Sequence, residues 1–377
     1  MTLCVFTLIA SEFLPVSLLT PMAGDLRVSE GLAGQGIALS GALAVLASLS
    51  MPALAGGMSR KTLLLALTAL MGVSGAVIAL APNYPVYMAG RALIGVVIGG
   101  FWSLSAAVAI RLVPASAVPK ALAVFNAGNA LATVVAAPLG AWLGAAIGWR
   151  GAFWCLVPAA LLTFAWQWVS LPAMAADERA PGRGVGQVFS PLGRPAIALG
   201  MAGCGLFFMG QFALFTYVRP FLETVTRVDV PTLSLMLLAT GAAGVIGTAL
   251  IGSVLRRSLY GTLVAIPMLM AAAALALIPA GAWVAPVAAL LALWGLLGTA
   301  APVGWWNWVA RAMPGNAEAG GGLMVAVIQL SIALGSTVGG LLFDAGGPRS
   351  AFAASAALLL LAALLTAMAA RSAAAGR

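Results

Sequence analysis

The chain has no histidine, only three cysteines and few charges of either sign: 7% of its 377 residues are Asp, Glu, Lys or Arg. A soluble domain carries about 25% charged residues, so a soluble enzyme or a free nucleic-acid-binding domain is excluded. Without histidine, the side chain that ordinarily titrates near neutral pH is missing, and any proton carrier has to be a carboxylate. Cys4, Cys155 and Cys204 lie inside apolar runs at spacings unrelated to metal ligation, which indicates neither a disulfide framework nor a zinc site. Walker, metal-cluster and nucleophile-triad patterns are absent too. ATP-driven transport and enzymatic catalysis are therefore disfavoured, and no cofactor or metal is expected. The glycine clusters at Gly241, Gly244 and Gly247 and at Gly320-Gly321-Gly322 follow no strand and read as close helix packing.

What is present is apolar: 63% of residues are hydrophobic and the mean hydropathy is +1.09. In a bilayer the backbone must satisfy its own hydrogen bonds, which leaves helices or closed barrels. Barrel strands alternate apolar and polar residues. This chain runs instead in continuous blocks of roughly 20 residues, the length a helix needs to cross a hydrocarbon core about 30 Å thick. The fold class is an all-α integral membrane protein. About twelve spans are expected, near 3–24, 32–56, 62–81, 85–110, 120–147, 151–171, 195–221, 231–255, 260–280, 284–310, 319–343 and 350–371. The first block lacks a basic leader region and is expected to stay in the membrane.

Twelve crossings put both termini on one side. Of the 18 basic residues, 12 fall there, among them Arg60, Lys61, Arg111, Lys120, Arg256, Arg257 and Arg311. An excess of Lys and Arg marks the cytoplasmic side, so a bacterial cytoplasmic membrane with both termini inside is expected. The net charge of +9 reads as topology, not as affinity for nucleic acid. A monomer is expected, with the lipid bilayer and a small-molecule substrate as its partners.

The longest polar interval, residues 172–194, contains Asp177, Glu178, Arg179, Pro181 and Arg183 and reads as a cytoplasmic linker. It divides the chain into two six-helix bundles, residues 1–171 and 195–377, which echo each other. Arg111-Leu-Val-Pro114 recurs as Arg311-Ala-Met-Pro314, an offset of 311 − 111 = 200. Gly148-Trp149-Arg150 with Phe153 recurs as Gly347-Pro348-Arg349 with Phe352, an offset of 347 − 148 = 199. Two parallel repeats with substrate handled between them near the midplane is the plan of a secondary transporter.

Glu12 stands near the middle of the first span. A charge at that depth costs roughly 2.5 to 3.5 kcal/mol on insertion scales and usually faces a cavity or the bundle interior. The plainer alternative is a protonated Glu that only ties two helices together. In the fourth span Arg91, Gly95, Trp102 and Ser105 share a helical face; a cation there can exchange partners as Glu12 gains and loses a proton, or it can be a static Arg satisfied by carbonyls. In the seventh span Phe208, Gln211, Phe215 and Arg219 follow i, i+3 and i+4 steps. That face suits a base with polar edges and a π-face, or equally helix packing. The tenth span carries Trp305, Trp306, Asn307 and Trp308 after Pro302 and Gly304. Such rings can stack a base, the alternative being an interfacial aromatic belt. Asn126 and Asn129 in the fifth span and Gln329 in the eleventh are further candidate partners for base or ribose.

The loop from Pro52 to Lys61 ends Leu54-Ala55-Gly56-Gly57-Met58-Ser59-Arg60-Lys61. It resembles the loop motif Gly-x-Leu-Ala-Asp-Arg-x-Gly-Arg-Lys of the major facilitator superfamily, with Gly56 at the Asp position. Arg91-Ala-Leu-Ile-Gly95 resembles the fourth-helix motif of that family's proton-coupled members, and Ala137-Pro138-Leu139-Gly140 keeps part of its fifth-helix antiporter motif. Glu12-Phe-Leu-Pro-Val-Ser-Leu-Leu-Thr-Pro-Met-Ala23, Gly99-Gly-Phe-Trp102 and Gln211-Phe-Ala-Leu-Phe-Thr-Tyr217 are similar to stretches of the purine-nucleoside exporters in its drug/proton antiporter group.

The resemblance covers essentially the whole chain. It implies the major facilitator fold, alternating access and proton-coupled efflux of purine ribonucleosides such as inosine and guanosine. With the faces above, Glu12 and Arg91 become the proton-coupling residues. Trp102, Asn126, Asn129, Gln211, Phe215, Arg219, Trp305, Trp306, Asn307 and Gln329 become the substrate-binding set, and Arg60 and Lys61 belong to a gating loop. Export of sugars or drugs on the same scaffold is the alternative, and a passive channel or facilitator stands behind it.

Overall fold

The computed structural model describes residues 2–54, 58–111, 114, 118–172, 174, 190–313 and 317–375. Side chains at 52–54, 105–107, 109–111, 118–127, 130, 190, 317–319 and 375 lie outside that description. Gly56, most of the linker and the side chains of Ser105 and Asn126 therefore fall outside it. Among the described residues there is no strand. The first half contains α1 (Thr2–Leu26), α2 (Glu30–Leu54), α3 (Arg60–Ala79), α4 (Tyr84–Arg111), α5 (Val118–Trp154) and α6 (Leu156–Ser170). A short 3₁₀ turn, Ser190–Gly193, leads into α7 (Pro195–Phe215), α8 (Val218–Phe221) and a π-helical turn, Leu222–Thr226. Then follow α9 (Val230–Arg257), α10 (Leu259–Ala280), α11 (Val284–Ala312) and α12 (Ala317–Ala375).

Among the described residues ten stretches are long and apolar enough to cross a membrane. Two of them, of 40 and 55 residues, are broken at glycines with left-handed φ, Gly148 at 75° and Gly347 at 70°. Each holds two crossings, so the count is 10 + 2 = 12. A Cβ at either glycine would meet nothing within 4 Å; the demand for glycine there is one of torsion alone.

Helix starts follow from short polar side chains. Ser59, Asp229 and Ser258 accept hydrogen bonds of 3.1 Å from the N–H groups of Thr62, Thr232 and Gly261, capping α3, α9 and α10. The bonds from Thr232 also hold the Asp229 carboxyl below its ordinary value. The backbone repeats as the sequence does. Arg27 and Arg227, 200 residues apart, both adopt left-handed φ, at 56° and 57°, as the two broken glycines do 199 residues apart.

The chain divides into two compact units: Met1–Val28 with Leu39–Arg183, and Ser29–Ala38 with Gly184–Arg377. In the first, α1 runs along α5 while α3 packs on α4 and α6. In the second, α7 runs along α12, and α9 along α11. The most enclosed spans are α1 and α7, 78% and 67% of whose most apolar stretch is buried against 56% or less in the other described spans, so polar groups on them have protein as their surroundings.

The second unit includes the start of α2. Asp344 of α12 accepts from the Ser29 hydroxyl at 2.5 Å and from the Gly31 N–H at 3.0 Å, and the Thr337 hydroxyl donates to the Gln35 amide oxygen at 3.0 Å.

Candidate functional site

In the first unit the site is built around Arg91, which is completely buried. Its Nη1 donates to the Ser11 carbonyl at 3.0 Å and its Nη2 to Ser40 Oγ at 2.9 Å, so one guanidinium joins α4 to α1 and α2. Gly95, one turn further along α4, makes this reach possible. A Cβ there would stand 2.5 Å from the Ser40 carbonyl oxygen; only a bare Cα lets α4 come this close to α2. The same close approach recurs in the second unit, where a Cβ on Gly295 would overlap the Thr240 carbonyl.

Glu12 follows Ser11 on α1, is 6% exposed, and is among the charges that act on Arg91. Tyr87, one turn before Arg91, is also fully buried and acts on it. A buried cation and a buried carboxylate in one neighbourhood form an element whose charge balance changes when a proton binds. Trp102 is half-buried, edge-on to Phe101 at 6.5 Å. Asn129 is half-buried too, and its carbonyl accepts from the Thr133 hydroxyl.

The second unit has a different character. Gln211 lies beside α11 in space that Gly298 leaves open, its amide nitrogen 2.8 Å from where a Cβ would be. Among the described residues the buried Gln211 Oε1, Gln329 Nε2, Trp294 Nε1 and Glu223 Oε2 have no hydrogen-bond partner. Unpartnered buried polar atoms cost free energy unless something satisfies them, and a polar solute can. Phe215 sits edge-on to Phe212 at 6.2 Å. Arg219 donates from Nε to Glu223 Oε1 at 2.8 Å, one helical turn along. Trp305 and Trp308 are buried and edge-on to each other at 5.9 Å. Trp306 is 46% exposed, and Asn307 is exposed with its amide bonded to the Val303 carbonyl within the same helix.

Of the two loop cations, Lys61 donates to the Trp168 and Leu171 carbonyls at 2.8 and 2.6 Å. It thus satisfies the open carbonyls at the end of α6. The Arg60 N–H donates to the Met174 carbonyl.

Two enclosed central helices, twelve crossings in repeated halves and a buried Arg-x-x-x-Gly pattern describe a secondary transporter, and the comparisons agree. The family model described as Major Facilitator Superfamily matches residues 1–324. The chain belongs to the Major Facilitator Superfamily. The purine ribonucleoside efflux pump NepI of Salmonella paratyphi C is 40% identical over 341 residues, 90% of this chain and 85% of that protein. A Pseudomonas aeruginosa protein named transcription regulatory protein OpdE is 67% identical over 370 residues, 98% and 92% of the two chains. The crystal structure of a bacterial homologue of the human lysosomal transporter Spinster superposes with a TM-score of 0.76 at 16% identity, covering 98% of this chain and 95% of that one. As a member of the superfamily the chain is a multi-pass membrane transporter of small molecules and not an enzyme.

Two residues of this transporter escaped the sequence reading. Glu223 was signalled by its place four residues after Arg219, where ion pairs form on a helix. Trp294 lies eleven residues, about three helical turns, before Trp305, so the face that Trp305 occupies extends back to it.

Proposed function

We propose that this transporter is a proton-coupled exporter of purine ribonucleosides, working by alternating access from a bacterial cytoplasmic membrane with both termini inside. The carrying observation is the fully buried Arg91, bonded to the Ser11 carbonyl and to Ser40, with Glu12 acting on it. Protonation of Glu12 removes the negative charge facing the guanidinium and frees the first unit to rearrange. Each proton moving inward along the membrane potential supplies about 2.3 kcal/mol per 100 mV, enough for modest uphill export of a neutral solute. A nucleoside is neutral, and its base offers what the second unit lacks: polar edges for Gln211, Gln329 and Trp294, and a π-face for Trp305 and Phe215. The name of the 40% identical Salmonella pump supports that substrate class.

Proteoliposomes under an imposed pH gradient test this. Inosine is expected to accumulate with the wild-type protein. Glu12→Gln is expected to bind inosine without concentrating it, whereas Glu223→Gln keeps its dependence on the gradient. Normal coupling in Glu12→Gln removes Glu12 from the mechanism, and movement of a sugar or a cationic drug in place of inosine removes the substrate.

The name of the Pseudomonas aeruginosa relative favours a second reading, an effect on transcription. An exporter that lowers the cytoplasmic level of an inducer changes transcripts without touching DNA. Under that reading the transcript change disappears with Glu12→Gln.

A further inference from the structure

A cavity of about 640 Å³ opens in the second unit where the starts of α7 and α10 meet the ends of α11 and α12. None of the proton-coupling or substrate-binding candidates lines it. Among the described residues its lining has no acidic side chain and includes Arg194 and Arg311, neither of which pairs with a described carboxylate.

Further donors line the same space. Two helices begin at this cavity, α7 after Arg194, which makes no side-chain cap, and α10 after Ser258. The first N–H groups of a helix have no acceptor within it, and Ala196, Leu259 and Tyr260 of those first turns are among the lining residues. Tyr260 is set in place by Trp308, whose indole N–H donates to its hydroxyl oxygen at 3.1 Å. Trp308 is itself held against Gly200, where any Cβ would overlap its ring. Because the tyrosine oxygen already accepts, its own proton is left to donate into the cavity. Two guanidinium groups, a fixed phenol O–H and two helix starts therefore face one space, whose acceptors are the neutral Ser258 and Ser372 hydroxyls and the carbonyls near the ends of α11 and α12.

Such a basin is complementary to the oxygens of a phosphate, which accept several charge-assisted bonds at once. Its floor is apolar, from Ile197 and Leu259, and it lies at the helix ends beside Arg256 and Arg257, the depth at which headgroups sit and basic pockets recognise them. We propose that this cavity binds the phosphate of an anionic phospholipid headgroup. The proposal rests on the cavity's own residues and stands whether or not nucleosides are the cargo.

The test uses the full chain in mild detergent, with lipid adducts counted by native mass spectrometry against dioleoyl phosphatidylglycerol, dioleoyl phosphatidylcholine and inorganic phosphate. The wild-type protein is expected to retain phosphatidylglycerol at least about tenfold more tightly than phosphatidylcholine. Removing basic groups near a headgroup weakens binding roughly fivefold each, so Arg194→Gln with Arg311→Gln is expected to lower phosphatidylglycerol affinity about 25-fold and abolish the preference. Tyr260→Phe, which keeps the packing, is expected to lower it by about threefold, as the loss of one hydrogen bond does. Equal retention of phosphatidylglycerol by the double variant, or by Tyr260→Phe if the double variant fails to fold, overturns the proposal. Arginine-dependent binding of inorganic phosphate without any preference for phosphatidylglycerol overturns it too, because the ligand is then a soluble anion.

Discussion

The two halves share a backbone and differ in chemistry, and the difference shows where the work is divided. At an offset of 200, Ser11, Glu12, Ser40 and Arg91 correspond to Gln211, Phe212, Thr240 and Leu291. Phe212 and Leu291 are as buried as their counterparts. One half thus encloses a charged cluster, and the other keeps the same space apolar with an amide at its edge. The ends of the repeats differ too. Asp25 pairs with Arg150 and accepts from the Trp149 indole at 2.9 Å in the first unit, whereas Val225 stands at the equivalent position. A carboxylate returns at Asp344, whose equivalent at an offset of 199 is Ala145. Duplicated architecture has been kept where torsions and close approaches demand it; arginines at the helix ends recur in both copies, whereas the buried charges Glu12, Arg91 and Arg219 each stand in one copy only.

The sharpest way to break this contrast is Arg91→Leu, which copies Leu291 into the first half. It leaves Glu12 without its buried counter-charge, a change worth about 3 to 5 kcal/mol. Gradient-driven transport is expected to fall at least about 100-fold, read as initial rates in proteoliposomes; wild-type rates would mean that the charged half does no more than the apolar one. The shared backbone gives a smaller effect. Gly148→Ala and Gly347→Ala each force a left-handed torsion on an L side chain with open space around it, costing about 1 to 3 kcal/mol. Their thermal midpoints in detergent are expected to drop equally, and a large difference between them would show that the two breaks are not equivalent. The smallest effect belongs to Asp25→Val, which makes the end of the first half like the second. The Asp25–Arg150 side chains are 47% and 36% exposed, so the loss is expected below about 1 kcal/mol, seen as a small shift in the same melting experiment.

Much of this was legible in the sequence. The all-helical class with about twelve spans and the buried position of Arg91 follow from hydropathy and a helical period, because in lipid each of these is forced by backbone hydrogen bonding or the cost of charge. What a period cannot give is a partner. The run Trp305-Trp306-Asn307-Trp308 offered a base-stacking face or an aromatic belt, and the helix turns Trp305 and Trp308 inward while Trp306 and Asn307 face out. Lys61 is read from sequence as part of a loop signal; only the fold brings the end of α6 to it, 107 residues away from Trp168. The kinks at Gly148 and Gly347 fall where the expected spans already break, between 147 and 151 and between 343 and 350.

The close approach at Gly95 and Gly295 carries a final consequence. Where a Cβ would collide with the Ser40 or Thr240 carbonyl, the glycine presents a Cα hydrogen to that oxygen. Such C–H···O contacts are worth about 0.5 to 1 kcal/mol each. In hydrocarbon, where apolar surface gains nothing by leaving its solvent, these weak polar contacts let two bare helix backbones adhere to each other before any side chain has chosen a rotamer.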